Sequence, residues 1–477
     1  MNGTASNSSG NSQPRRRTKV FRDPIHDLIY LGPDDQWVLK LIDTKEFQRL
    51  RRIRQLGLAH FVYPGAEHTR FVHSLGVFNF ARRMIDKLVE RHRDDDEIRE
   101  QIQGNSASIK AAALLHDIGH GPFSHVFERV FKAEDSSYQS HEDRSCEILR
   151  DTDTEIGRVL KGLGGVDVDI VCCLISGEEG PPPEPYLKDI VSSQLDADRM
   201  DYLLRDSLMT GSRYGQFDSE WILNALAIGQ PRLGDRRVKK LCLDARKGTG
   251  AIEGFLFARR LMLEHVYGHR TTRAYEAELI QTLRLAVLLC DTLPDDMPEP
   301  VKNLLAKQGK VTTKEYLMLD DEVFWWALRR WAAWSGKAPN KGSLQESLKR
   351  HALRLVRRSV PWKTEEFDLP RIASAKALLR HLEKEKSPLL FECHVDRLVD
   401  LPYKDTRYFS REEFDDEEAF FREIFLIRRD NSTIPLSKIP DLPILEGLTK
   451  QLVVYRFHYN REFSKEFAGL MKKFGVC

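Results

Sequence analysis

The spacing of apolar and polar positions predicts a mainly helical chain. Residues 19–30 read as a short strand or extended segment, broken at Asp23-Pro24. Phe47, Leu50 and Ile53 then recur at helical spacing while Arg49, Arg52 and Arg54 fall elsewhere, and Asp43 with Glu46 reads as an N-cap and its capping-box partner. Val77, Phe80, Met84 and Leu88 repeat the spacing in the next helix. Residues 108–115 are apolar nearly all round, which predicts a buried central helix ending at His116-Asp117, just before Gly119 and Gly121.

Residues 177–185 form a Gly/Pro loop in this reading, and residues 248–289 one long helix with a basic, aromatic middle. Residues 324–334 carry Trp325, Trp326, Trp331 and Trp334 on one helix, better explained as core or subunit contact than as a base-stacking platform. Past Pro388 the texture changes to short β-rich runs, 424–427 and 452–457, with Asp430-Asn431-Ser432 as a turn. The expected fold is therefore a mainly α body with a smaller C-terminal α/β appendage. Its expected divisions are a disordered basic tail (1–17), a main helical body (18–320), a tryptophan-rich helical segment (321–387) and a small α/β lobe (388–477).

Composition adds exclusions. With 477 residues, 41% of them hydrophobic and 31% charged, the chain is neither a disordered tail nor a small stapled module. Seventy-four basic residues against 72 acidic ones leave a net charge of +2, so no global basic field recruits nucleic acid. Seven scattered cysteines without a CxxC pair suggest a reducing, cytoplasmic setting. The Asn/Ser/Gly-rich start lacks the apolar run of a signal peptide, and no stretch of about 18 apolar residues suggests a membrane span.

Histidine is the outlier: eight of the 15 lie between His60 and His141. A water-activating divalent metal needs imidazole and carboxylate ligands on a rigid frame. His73, the pair His116-Asp117, His120, His125, His141 and the downstream Asp198 offer such groups; any one alone is better read as a satisfied core or helix-end residue, and it is their clustering that favours a metal. Along residues 194–206, Asp198, Asp201, Tyr202, Arg205 and Asp206 share one helical face, with Ala197, Met200 and Leu204 on another. That face suits either a metal and phosphate cleft or a solvated surface.

Four motifs in order, residues 43–57 (DTKEFQRLRRIRQLG), 69–76 (TRFVHSLG), 115–125 (LHDIGHGPFSH) and 196–202 (DADRMDY), resemble the HD-domain deoxynucleoside triphosphate triphosphohydrolases over about residues 19–274. The resemblance implies metal-dependent cleavage between the α-phosphate and the 5′-oxygen of a dNTP, releasing inorganic triphosphate. It implies His73, His116, Asp117 and Asp198 as ligands of a divalent ion, one of Mg, Mn, Fe, Co or Zn. It places His141, the preferred general acid, with His125 beside the leaving group, His120 in support, and Glu128 where the family has aspartate. Arg70, Arg199 and Arg259 match phosphate contacts, and Tyr202 belongs to the same substrate cleft. Gln55 and Asp206 match partners of the 3′-hydroxyl, while Leu56 and Tyr267 match the groups that crowd a 2′-hydroxyl.

The resemblance further implies a GTP or dNTP activator between subunits, at Lys19, Val20, Asp43, Gln48, Arg51 and Arg246, hence a homo-oligomer with a tetramer favoured. The alternatives are another HD-type nucleotide phosphohydrolase, or a single-strand nucleic-acid binder using Arg15, Arg16, Arg17, the Arg49 to Arg54 helix and the tryptophans.

Overall fold

The structure, a computed structural model, describes residues 18–134, 138–177, 184–334, 343–359, 362–367, 369–400, 420–439 and 452–476. The basic tail, most of the Gly/Pro loop and Cys477 lie outside the described residues.

Helix Arg70–Arg91 forms the axis of the body, with Asp96–Leu115 and Ala197–Thr210 packed on it. Its expected stripe is buried: Val77, Met84 and Leu88 at 0% exposure and Phe80 at 1%. Asp95 caps the second helix by accepting the Ile98 N–H, and Ala111 to Leu115 are wholly buried, so apolar character all round does mark a central helix here. Gly76 permits the close crossing of Ala197–Thr210. A Cβ there would stand 1.9 Å from Asp201 Oδ1 and 2.4 Å from Arg205 Nη2.

Local expectations fail where a tertiary partner intervenes. Asp43 is not the N-cap; it ends helix Trp37–Ile42, and Thr44 caps the five-residue helix Lys45–Arg49 through its hydroxyl. Glu46 is buried and accepts the Glu155 N–H instead of completing a capping box. Arg49 is 1% exposed and donates to the carbonyls of Leu319 and His120, while Arg52 pairs with Asp320 and Arg54 with Glu67. The basic cluster offered to a nucleic acid is thus committed to internal partners. The long helix expected over 248–289 is two: Ala245–Met262 passes through a π turn, Leu263–Tyr267, and breaks at Gly268 before Arg270–Leu288.

The tryptophan helix spans Asp321–Ala332, so Trp334 lies beyond it. Trp331 is wholly buried among Phe127, Phe324, Leu348 and neighbours in a second core, whereas Trp326 remains 39% exposed. The core explanation therefore holds for Trp331. Four small sheets complete the fold among the described residues, two of them hairpins, Lys19–Asp23 with Asp27–Leu31 and Arg232–Leu233 with Arg236–Arg237. Strand Lys240–Asp244 pairs antiparallel with Leu226–Gly229 and parallel with Phe425–Ile427, which ties C-terminal residues to the body. An antiparallel sheet of Trp362–Phe367, Leu452–Asn460 and Cys393–Asp400 carries helices Leu369–Lys384 and Ser464–Phe474. One of its strands thus precedes residue 388. The turn at 430–432 forms as expected, with Asp430 accepting from Ser432.

Candidate active site

Three helix ends converge on one centre. Helix Arg70–Arg91 supplies His73 from its first turn, Asp96–Leu115 delivers His116 and Asp117 at its end, and Ala197–Thr210 offers Asp198. One nitrogen each of His73 and His116 and an oxygen of Asp117 lie within 4.8 Å of one another. Asp198 Oδ1 sits 2.9 Å from His73 Nε2 and 3.6 Å from His116 Nε2. Both Nε2 atoms are buried without an aligned hydrogen-bond partner, although their Nδ1 atoms are satisfied by Asp201 Oδ2 at 2.9 Å and the Ala113 carbonyl at 3.0 Å. Buried nitrogens aimed at carboxylate oxygens, with the opposite ring nitrogen pinned from outside, make a donor set that fits a divalent cation.

The electrostatics agree. Burial alone would lower the His73 imidazolium, yet Asp198, Asp201 and Asp117 push it up to about 10, so positive charge is strongly favoured at this nitrogen. Burial would likewise raise Asp117, but Arg70, His116 and His120 hold it well below the usual carboxylate range. Arg70 Nη1 approaches Asp117 Oδ2 to 2.5 Å, and its other nitrogens donate to Ser124 Oγ. Phe123 and Ser124 both adopt positive φ, 53° and 54°, an uncommon backbone for such residues that marks the turn into helix His125–Glu134.

His120 and His141 stack with centroids 3.9 Å apart, and His125 stands edge-on to both. Gly119 makes the stack reachable: a Cβ there would lie 2.2 Å from the His141 carbonyl oxygen. Burial, with Arg70 and His141, holds His120 well below its ordinary value, so it is neutral. Glu128 Oε2 lies 3.4 Å from His141 Nδ1 and 3.8 Å from His125 Nδ1. Contacts with His125 and His141 keep this carboxylate ionised.

One cavity of about 420 Å³ opens onto His73, His116, Asp117 and Asp198, onto all three stacked or edge-on imidazoles, and onto Gln55, Leu56, Arg70, Tyr202, Asp206 and Tyr267. Tyr267 donates to Asp206 Oδ2 at 2.8 Å, and His68 Nε2 meets Asp206 Oδ1 at 2.7 Å. Gln55 Oε1 is buried without a partner. The solvated-face alternative for residues 194–206 falls away, because Asp201, Arg205 and Asp206 are at most 2% exposed.

Residues 70–206 match the family model described as "HD domain". The chain is 37% identical over 314 residues to the uncharacterized protein YwfO of Bacillus subtilis, covering 66% of each. It is 31% identical over 317 residues to the uncharacterized protein MG461 of Mycoplasma genitalium, covering 64% of this chain and 71% of that one. The chain belongs to the HD-domain family. This HD-domain hydrolase is also 31% identical over 282 residues to the mouse deoxynucleoside triphosphate triphosphohydrolase SAMHD1, covering 53% of this chain and 42% of that one. It thus spans about two thirds of YwfO and under half of mouse SAMHD1. Among solved structures, a phosphohydrolase from Bacteroides thetaiotaomicron matches with a TM-score of 0.70 and 28% identity, over 93% of this chain and 100% of that one.

Other expected residues of the HD-domain hydrolase stand outside the cavity wall. Arg199 turns to the Ser193 carbonyl and lies 3.4 Å from the Tyr202 hydroxyl, and Arg259 donates to Gln194. Lys19 and Val20 lie on the first hairpin strand. Gln48 and Arg51 bond to each other, with Arg51 stacked 3.5 Å over Phe71. Arg246 opens helix Ala245–Met262 near Asp244. None of these, nor Asp43, lines the cavity. Conversely, Arg129, Thr272, Arg273 and Glu276 do line it and were not singled out from the sequence. No motif marks them, since Arg129 and Glu276 meet only across 147 residues of chain. No described helix is long and apolar enough to cross a membrane.

Proposed function

We propose that this HD-domain hydrolase cleaves deoxynucleoside triphosphates to a deoxynucleoside and inorganic triphosphate, holding a divalent ion with His73, His116, Asp117 and Asp198. The observation that carries this reading is the single cavity joining that donor set to the three imidazoles and to the Gln55, Leu56, Asp206 and Tyr267 wall. Similarity to the mouse and chicken proteins named SAMHD1 deoxynucleoside triphosphate triphosphohydrolases supports the substrate class.

In the reaction, a water oxygen joins the α-phosphorus, the bond from phosphorus to the 5′-oxygen breaks, and that oxygen takes up a proton. A bound divalent ion supplies charge neutralisation and an acidified water. Arg70, on the border between the carboxylates and the open cavity, takes a phosphate oxygen. Arg199, steadied by Tyr202, and Arg259 rotate from their carbonyl and amide partners to hold the remaining phosphates. His141 delivers the proton: its Nε2 faces Glu142 Oε1 at 3.2 Å, a contact that the leaving oxygen replaces. Glu128 holds the Nδ1 edge of His141 and His125, while neutral His120 fixes the plane of His141 by stacking.

The 3′-hydroxyl gives its one proton to the partnerless Gln55 Oε1, beside Asp206, which His68 and Tyr267 hold in place. Leu56 and Tyr267 pack against C2′ and exclude a ribose hydroxyl. The test is product analysis with each dNTP and Mg²⁺, Mn²⁺ or Co²⁺. Deoxynucleoside plus triphosphate is expected; orthophosphate or pyrophosphate as the first product would overturn the reading. We further propose nucleotide activation through Lys19, Val20, Asp43, Gln48, Arg51 and Arg246 in a homotetramer. GTP should then raise both the rate with one pure dNTP and the assembly size, and an unchanged rate and size would remove it.

A further inference from the structure

A second cavity, of about 310 Å³, lies between helix Arg270–Leu288, helix Leu369–Lys384 and the start of strand Cys393–Asp400. Lys376, Arg380 and Glu383 line it from one helical face, and Gln281, Arg284 and His394 from the other elements. Three cations thus face one carboxylate. Neither Lys376 nor Arg380 makes an ion pair among the described residues. An uncompensated pair of cations beside a third in a concave site favours an anion.

A second, independent observation concerns Gln281. Its side chain is 1% exposed; Nε2 donates to the Cys393 carbonyl at 2.7 Å, while Oε1 is buried without a partner. A buried carbonyl oxygen lacking a donor is costly. It asks for an O–H or N–H, which a fully ionised inorganic anion does not bring.

Helix Arg270–Leu288 lines both cavities, and strand Cys393–Asp400 adds a second link between them. His394 lines the second cavity, and two residues along, Asp396 grips Arg273 fork to fork. Arg273 in turn lines the catalytic cavity and shares Glu276 with Arg129. Burial, against the pull of Asp396, together with nearby His458, Arg129 and Arg273, pushes His394 down to about 3, so it meets the cavity neutral.

We propose that this cavity binds a small organic phosphate bearing a hydroxyl or amino donor, and that its occupancy reaches the catalytic pocket through His394, Asp396 and Arg273. Lys376, Arg380 and Arg284 take the phosphate, and Gln281 Oε1 takes the donor.

The test is isothermal titration of the full chain with adenosine 5′-monophosphate, glucose 6-phosphate and sulfate, without divalent metal or dNTP, so it stands apart from the dNTP reading. Binding of either organic phosphate with Kd below about 1 mM is expected, and the two arms tell a nucleotide from a sugar phosphate. In the Lys376→Gln/Arg380→Gln variant, loss of two charge-assisted contacts should weaken binding at least about 10-fold. Both positions are exposed, so the melting temperature should hold. Equal binding by the variant, no binding by wild type, or sulfate bound as tightly as the organic phosphates would overturn the site. The bound phosphate should also change the turnover of wild type more than that of Asp396→Asn; equal effects would remove the coupling.

Discussion

Asp201→Asn tests how the metal-type cluster is held. Asp201 is wholly buried; Oδ1 accepts from His26 Nε2 at 2.9 Å and Arg205 Nη2 at 2.8 Å, and Oδ2 from His73 Nδ1 at 2.9 Å and Arg205 Nε at 2.7 Å. Asparagine keeps one acceptor oxygen and points an amide N–H at donors. Breaking a buried ion pair costs about 3–5 kcal/mol. Arg205 keeps Asp23 as a second partner at 2.8 Å, so the lower end of that range is expected by urea unfolding of the metal-free protein. The second effect is specific: without a carboxylate on Nδ1, His73 loses the orientation and basicity of Nε2, which should weaken metal binding about 10–100-fold. Mn²⁺ titration reads that loss. Asp23→Asn is the control, since it touches Arg205 and not His73, and should lower stability while sparing metal affinity. If Asp201→Asn bound Mn²⁺ as wild type does, Asp201 would not be what aims His73. Burial raises the Asp201 carboxyl, but Arg205, His26 and His73 hold it well below its ordinary value. Its stabilisation is therefore present above the unfolded pKa of about 3.9 and fades as pH falls below that, a fade the variant should lack.

Trp331→Ala should cost about 3–5 kcal/mol, because the side chain is wholly buried, whereas Trp326→Ala should change the melting temperature little. Equal effects would return the tryptophans to a surface role. Gly119→Ala places a Cβ against the His141 backbone, so turnover should fall far more than dNTP binding as the stack of His120 on His141 is lost. Glu423 is held by Ser437, and burial pushes it up to about 8, so its contribution is fully present below the unfolded pKa of about 4.3 and is lost as pH rises through 8. Glu423→Gln should therefore unfold at higher urea than wild type at pH 9 and at a similar midpoint at pH 4, and identical midpoints at pH 9 would refute this.

His116-Asp117 was legible because it is local, ending an apolar helix, whereas His73 and Asp198 were picked out by the order of the four motifs and the family resemblance they carry. Helical periodicity also located the stripe of Val77, Phe80, Met84 and Leu88, since a 3.6-residue repeat is itself a statement of burial. Long-range pairing was not legible. Arg49 reads as a surface cation until the carbonyls of Leu319 and His120 enclose it, and Asp43 reads as a cap until the preceding helix claims it. Asp201 looks like any carboxylate on a polar face, and only the crossing permitted by Gly76 brings it under His73. Arg273 needs Asp396, 123 residues away, to be fixed in the cavity wall. The sequence alone determined the helical body and which imidazoles and carboxylates its motifs offer to the centre, because those follow from patterns along the chain. The tertiary structure decided which charges are buried, what orients the ligands and what closes the pocket, because those depend on groups that meet only when distant segments pack.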